Sequence, residues 1–141
     1  MREKSTDELQ RELLEAMDLD QFLSGNRGQF SCESVAGALD RLFRQKNISK
    51  TALARRSGMS EIYLHQIFAG RRNPSRNRLI CLCCGLGATL DETQELLKLS
   101  GLAQLYPRIK RDAIIIYGLA HGEDLFEIND RLFSEDEETL F

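Results

Sequence analysis

Between Arg41 and Arg78 the chain carries 10 basic residues and a single acidic one, Glu61, for a local net charge of +9. The flanks have the opposite sign. Met1–Asp40 sums to −5 and Leu79–Phe141 to −7, so the overall charge of −3 hides the contrast. An ordinary solvated face would mix signs. A single-signed block of Lys and Arg between acidic flanks is the footprint of a surface that meets phosphate. No other constellation offers comparable chemistry. There is no nucleophile set beside a base, no Gly-rich phosphate loop and no plausible metal cluster, so the expectation is a protein that is not an enzyme and takes no cofactor or metal. Of the 4 cysteines, Cys32, Cys81, Cys83 and Cys84, Cys81 and Cys84 are spaced to share a helical face and, with other ligands, to bind a metal. Adjacent thiols in one helix cannot staple distant regions of a fold. The favoured reading makes them small buried hydrophobes in a reducing cell. His65 reads as a solvated or phosphate-facing side chain, His121 as belonging to a turn beside Gly122, and the acidic clusters as solvated charge.

The elements that must present the basic block are short helices. Ser34 to Lys46 reads as a helix with Val35, Leu39, Leu42 and Phe43 facing inward. Ser49 can cap a helix over Lys50–Ser57. Gly58 supplies a tight turn, Ser60 caps the next helix, and that helix runs to about Ala69 before Gly70 ends it. Arg71–Ser75 is a loop. Helices over Arg76–Gly85 and Asp91–Ser100 follow, the last closed by Gly101. Ahead of this run, Thr6–Met17 reads as a helix with a narrow stripe of Leu9, Leu13 and Met17, and Ser24–Gly28 as a turn or linker. Behind it, Ile109–Phe133 reads as a helical hairpin, and Ser134–Glu138 as an acidic tail. Ile80, Cys81, Cys84, Leu90 and Leu97 are echoed by Ile115, Ile116, Leu119, Leu125 and Leu132 at an offset of 35, a weak sign of a repeat that supports the hairpin. The predicted architecture is all-α in three segments: 1–31, an N-terminal helical arm and linker; 32–102, a five-helix domain; and 103–141, the C-terminal hairpin and tail.

In the middle segment a single spacing has a definite geometry. Leu53-Ala54-x3-Gly58-x5-Leu64-x2-Ile67 puts a small residue where two short helices cross, a glycine in the turn, and apolar side chains on both inner faces. That is what a helix-turn-helix needs, and it falls inside the only basic stretch. The alternative is an ordinary helical hairpin of an all-α domain.

The segment ISKTALARRSGMSEIYLHQIFAGRRNPS, Ile48–Ser75, resembles the Cro/repressor (XRE-type) helix-turn-helix family. Both have Ala and Gly at these positions, then a recognition helix ending in Gly, basic residues, Asn and Pro. The likeness extends over about Ser34–Leu102 and implies a repressor-like five-helix fold. It implies that Glu61, Ile62 and Tyr63, joined one turn later by His65 and Gln66, face base edges in the major groove. Gln66 suits a bidentate contact with adenine and Ile62 a thymine methyl. Glu61 departs from the Gln or Arg often found there, and a carboxylate can accept only from cytosine. Lys50 matches a phosphate-contacting position. Ser60, Arg71, Arg72, Asn73, Arg76 and Arg78 would bracket the adjacent backbone. The resulting expectation is a sequence-specific transcriptional regulator of double-stranded DNA, a homodimer on a palindromic site. The hairpin is the first choice for the dimer interface, although the Leu9-Leu13-Met17 stripe and docking of the hairpin on its own domain compete with it. The alternative function is a protein-interaction module on the same scaffold, an antitoxin or phage-related adaptor whose acidic flanks bind a protein partner. The longest apolar run, Ala113–Ala120, is too short to span a bilayer, and Met1–Gln10 lacks the core of a signal peptide, so a cytoplasmic protein without a membrane segment is expected.

Overall fold

The computed structural model describes Arg2–Phe30 and Glu33–Phe141, and every regular element among these residues is helical. Cys32 lies outside the described residues. The chain divides into two compact units, Met1–Glu33 and Ser34–Phe141.

The first unit holds α1 (Thr6–Glu15) and α2 (Leu19–Gly25). The helix expected to reach Met17 stops at Glu15, because Ala16 turns to extended backbone and Asp18 caps a new helix by accepting from Asp20 N. The segment Ser24–Gly28, expected as a turn or linker, is an ordered turn. Ser24 and Gly25 end α2, and Arg27–Gln29 forms a single 3-10 turn. The reason is Asn26, which is buried. Its carbonyl oxygen accepts from Lys4 Nζ at 2.8 Å, and its amide donates to Glu12 Oε2 and Phe22 O. Lys4 also binds Glu12 at 2.7 Å, which holds the Glu12 carboxyl below its ordinary range. Polar bonds, with an edge-to-face contact of Phe22 and Phe30 at 6.3 Å, therefore hold this unit together. Among its described residues no apolar side chain is buried, and Leu14 and Met17 are 76% and 101% exposed.

The second unit runs α3 (Val35–Lys46), α4 (Lys50–Arg56), α5 (Glu61–Phe68), α6 (Arg76–Leu86), α7 (Leu90–Leu99), α8 (Lys110–Ala120) and α9 (Leu125–Ser134). Ser34, Ser49, Ser60 and Ser75 each cap a helix by accepting from the amide three residues on. Each such cap satisfies an amide that the helix start would leave orphaned. Thr89 and Asp124 open α7 and α9 with full capping boxes, closed by Glu92 and Glu127. These two boxes stand 35 positions apart, at the offset of the apolar echo. So α6–α7 and α8–α9 are two helical hairpins of one local design.

One core serves all seven helices. Leu39, Leu53, Leu64, Leu79, Ile80, Leu97, Ile115, Ile128 and Leu132 are each 1% exposed or less. The C-terminal hairpin, expected as a separate segment, docks on its own domain, with α9 against α6 and α8 against α7. Its apolar surplus is what the first hairpin needs as a cover: Ile115 is buried, and Ile114 and Ile116 pack on the core. Of the four consecutive apolar residues of α8, Tyr117 stays outside, stacked on His121 at 3.9 Å. The tail then returns. Leu140 is buried, its amide donating to Asn129 Oδ1 at 2.7 Å, and Arg111 holds the carbonyls of Glu138 and Thr139.

Candidate nucleic-acid interface

The crossing of α4 and α5 is built from small and aliphatic side chains. Leu53 and Ala54 on α4 and Leu64 and Ile67 on α5 are all buried. Between the helices Gly58 adopts φ +65°, which side-chain-bearing residues rarely tolerate. Met59 N then donates to Ala54 O, closing the turn at 3.1 Å. A second small residue, Gly85 on α6, sets how closely α4 approaches from the other side. A Cβ there would collide with Ser57 Oγ and lie 3.1 Å from Leu53 Cδ1. Sequence reading took Gly85 as a helix end, whereas it lies in the last turn of a helix that continues to Leu86. Ala54→Leu should overpack this crossing and lower stability by about 1–3 kcal/mol. Thermal unfolding checks it, and an unchanged Tm would mean that Ala54 is not at the crossing.

With Leu64 and Ile67 turned inward, the other side of α5 is open. Glu61, Ile62 and His65 are exposed, Ile62 at 74%. Gln66 is half-buried at the edge of this face. The Ser60 hydroxyl accepts from Tyr63 N at 3.1 Å, so its oxygen serves the helix start and its proton remains to donate. Tyr63 is half-buried, with its ring under Arg72 at 5.1 Å and Arg78 at 5.5 Å. Cations over an aromatic face are held without losing their outward N–H groups. The pair therefore fixes the loop after α5 and the first turn of α6 beside the exposed face. Arg71, Arg72 and Asn73 are exposed in that loop. At the end of α5 Lys50, also exposed, lies 5.3 Å from the Phe68 ring.

Arg76 behaves differently from its neighbours. Expected at phosphate, it is turned into the domain. Its guanidinium binds Asp112 Oδ2 at 3.0 Å and donates to the carbonyls of Ala103 and Gln104. Asp112 is 2% exposed and also accepts from Tyr106 N. A guanidinium held by one buried carboxylate and two backbone carbonyls is committed within the domain and is not available to a ligand. Asp112, the one carboxylate of α8, directly precedes its apolar run, and that was the signal that a cation had to come to it.

The described cysteines all lie in α6. Cys81 and Cys83 are buried, and burial pushes their thiols up to about 11 and about 12, so both stay protonated at neutral pH. Burial raises the Cys84 thiol as well. Among the described residues no three His, Cys, Asp or Glu side chains are grouped to hold a metal ion. No helix there is long and apolar enough to cross a membrane.

Residues 29–96 match a helix-turn-helix domain family. No curated protein and no solved structure gives a match to the chain.

Proposed function

We propose that this protein is a transcriptional regulator that reads double-stranded DNA with α5 and binds a palindromic site as a homodimer. The observation that carries the reading is the exposed face of α5, with Lys50 over Phe68 at the end of the helix, Arg72 and Arg78 over Tyr63 near its start, and Arg71 in the loop that follows. An eight-residue helix with a polar outer face fits a major groove, and cations at either end of it fit the phosphates that border the groove. In this reading Glu61, Ile62, His65 and Gln66 face base edges. Tyr63 holds the flanking arginines rather than touching a base. Ser60, Asn73 and the four cations meet the backbone. Arg76 takes no role in it. Two-fold symmetry doubles the few base pairs that one such helix can read. The protein works without catalysis or a cofactor, in the cytoplasm.

Selection from random duplexes, followed by Gln66→Ala on the enriched site, tests the reading. The substitution should cost about 1–3 kcal/mol of binding and relax preference at one position per half-site. An equal loss on selected and random DNA would demote Gln66 to a backbone contact. Failure to enrich any sequence would sink specific recognition.

One observation favours a second partner of another kind. The acidic first unit exposes Leu13, Leu14, Met17, Leu19 and Leu23, more apolar surface than two short helices ordinarily leave in water. A protein partner bound through this unit would suit an interaction module. Binding to duplex DNA that falls steeply with salt separates the two readings.

A further inference from the structure

The first unit leaves most of its aliphatic side chains in water. Its centre is polar, the buried amide of Asn26 bonded to Lys4, Glu12 and the Phe22 carbonyl. Leu14, Met17 and Leu19 are more than half exposed, and Leu13 and Leu23 nearly so. Apolar exposure this concentrated marks an interaction surface.

The surface has a hollow. Where α1 ends and α2 begins, Ala16, Met17 and Phe22 line a groove of about 410 Å³. Gly25 leaves its wall open, since a Cβ there would meet nothing within 4 Å. Glu12, Glu15 and Asp18 stand around the same groove.

Charge decides what can cover it. Over Met1–Glu33 there are 4 basic and 8 acidic residues, and the stretch Leu13–Leu23 carries Glu15, Asp18 and Asp20 with no Lys, Arg or His. Arg2 and Lys4 are already engaged, pairing with Glu8 at 2.9 Å and with Glu12 at 2.7 Å. Among the described residues no cation pairs with Glu15, Asp18 or Asp20, and Asp18 gives one oxygen to the cap of α2. A second copy would bring three more carboxylates to the same face, and like charges set against each other oppose docking. Duplex DNA and an anionic lipid surface are repelled for the same reason.

The partner that fits has an apolar stripe and basic edges. Every regular element among the described residues is helical, so the unit offers no sheet edge to an extended strand. An amphipathic helix can lay apolar anchors three and four positions apart into the groove while its lysines and arginines reach the carboxylates. The ten residues of α1 run about 15 Å, so a partner of about ten to twelve residues covers it.

We propose that the first unit docks a basic amphipathic helix of another protein, with Met17 and its exposed aliphatic neighbours meeting the apolar stripe and Glu15, Asp18 and Asp20 meeting the cations. The proposal rests on reading this unit as a protein-binding one, and α5 has no part in it.

The probe is a synthetic helix of about twelve residues with leucine on one face and lysine on the other. Two controls keep its length, one with glutamate for lysine and one with serine for leucine. Each is titrated into the full chain and followed by backbone amide shifts. Saturable shifts confined to α1 and α2 are expected, with either control binding at least about tenfold more weakly. Leu14→Ser with Met17→Ser should weaken the probe as much and, because both side chains are exposed, leave the rest of the spectrum in place. Glu15→Gln with Asp18→Asn, in which Asn still caps α2, should weaken it and flatten its salt dependence. Equal binding of the serine control, or undiminished binding to the double serine variant, would overturn the proposal. So would sedimentation in which that variant splits a dimer of the free protein, because a second copy would then cover the face. Saturable binding of the glutamate control alone would leave a protein-binding unit and overturn its basic partner. No saturation by any peptide would overturn both. Binding of a duplex at α5 is read from other amides, so that reading stands or falls separately.

Discussion

Raising salt from 50 to 200 mM should weaken binding of the protein to its selected duplex by about 10⁴-fold. The expectation follows from the geometry of the cations rather than from net charge. Four of them, Lys50, Arg71, Arg72 and Arg78, stand around the open face of α5, and a two-fold pair brings about eight to the duplex. Each phosphate neutralised releases condensed counterions, so the logarithm of affinity should fall against log salt with a slope of about −7. A single protomer would give a slope of about −3.5 and lose about 10²-fold over the same range. The measurement thus reports on stoichiometry and interface together. Arg71→Ala with Arg72→Ala should flatten the slope by about two in each protomer and weaken all duplexes alike. A flat salt dependence would remove DNA from the reading. The acidic flanks make no contribution of the right sign, and the overall charge of −3 predicts none of this.

Asp112→Ala should destabilise the second unit by about 3–5 kcal/mol, nearer the lower figure. Two effects add. The substitution leaves the Arg76 guanidinium without its counter-charge, and it leaves Tyr106 N, which donates to Asp112 at 2.9 Å, without an acceptor. The lower figure is favoured because the Arg76 side chain is 25% exposed, so water can reach some of the stranded charge. Asp112→Asn keeps an oxygen at the position of Oδ2, which accepts from both Arg76 and Tyr106 N, and loses only the charge, so it should cost less. Urea unfolding measures both. A shift within about 0.5 kcal/mol for Asp112→Ala, the size typical of an ordinary surface change, would show that the pair is not structural. Because Arg76 opens α6, two positions before Arg78, the same variant should loosen the arginine pair over Tyr63 and weaken binding to DNA more than unfolding alone explains.

How far the sequence carried the reading depends on the range of the interactions involved. The helix-turn-helix was legible because its determinants lie within fifteen residues: Leu53 and Ala54, Gly58, then Leu64 and Ile67. The serine caps were legible for the same reason, each acting on an amide three positions away. What failed to be read was set at a distance. Asn26 orders the N-terminal turn through Lys4 and Glu12, 22 and 14 positions away, so the sequence left the segment open between a turn and a linker. Arg76 is turned inward by a carboxylate 36 positions on, and within a basic run nothing distinguishes it from Arg72 or Arg78. The apolar surplus of α8 and α9 fits either a second copy or the chain's own core. Composition cannot decide between them, and only the packing against α6 and α7 does. Gly85 was read as punctuation because its role lies in what Leu53 and Ser57 place against it.

The returning tail has a kinetic consequence. Cys81 on α6 meets the Leu140 carbonyl across 59 positions, and the Phe141 ring covers Gly58, with Cε1 3.1 Å from where a Cβ would stand. Closing so long a loop costs little extra free energy, about 0.6 kcal/mol per doubling of length. It does slow folding, because the chain must find a distant contact before that contact repays the search. The short helices from α3 to α7 depend on neighbours and can assemble early. The floor beneath α6 and the cover over the turn arrive only with the last residues described. In a chain made from its N-terminus, α8, α9 and the tail are thus the last of this core to be supplied.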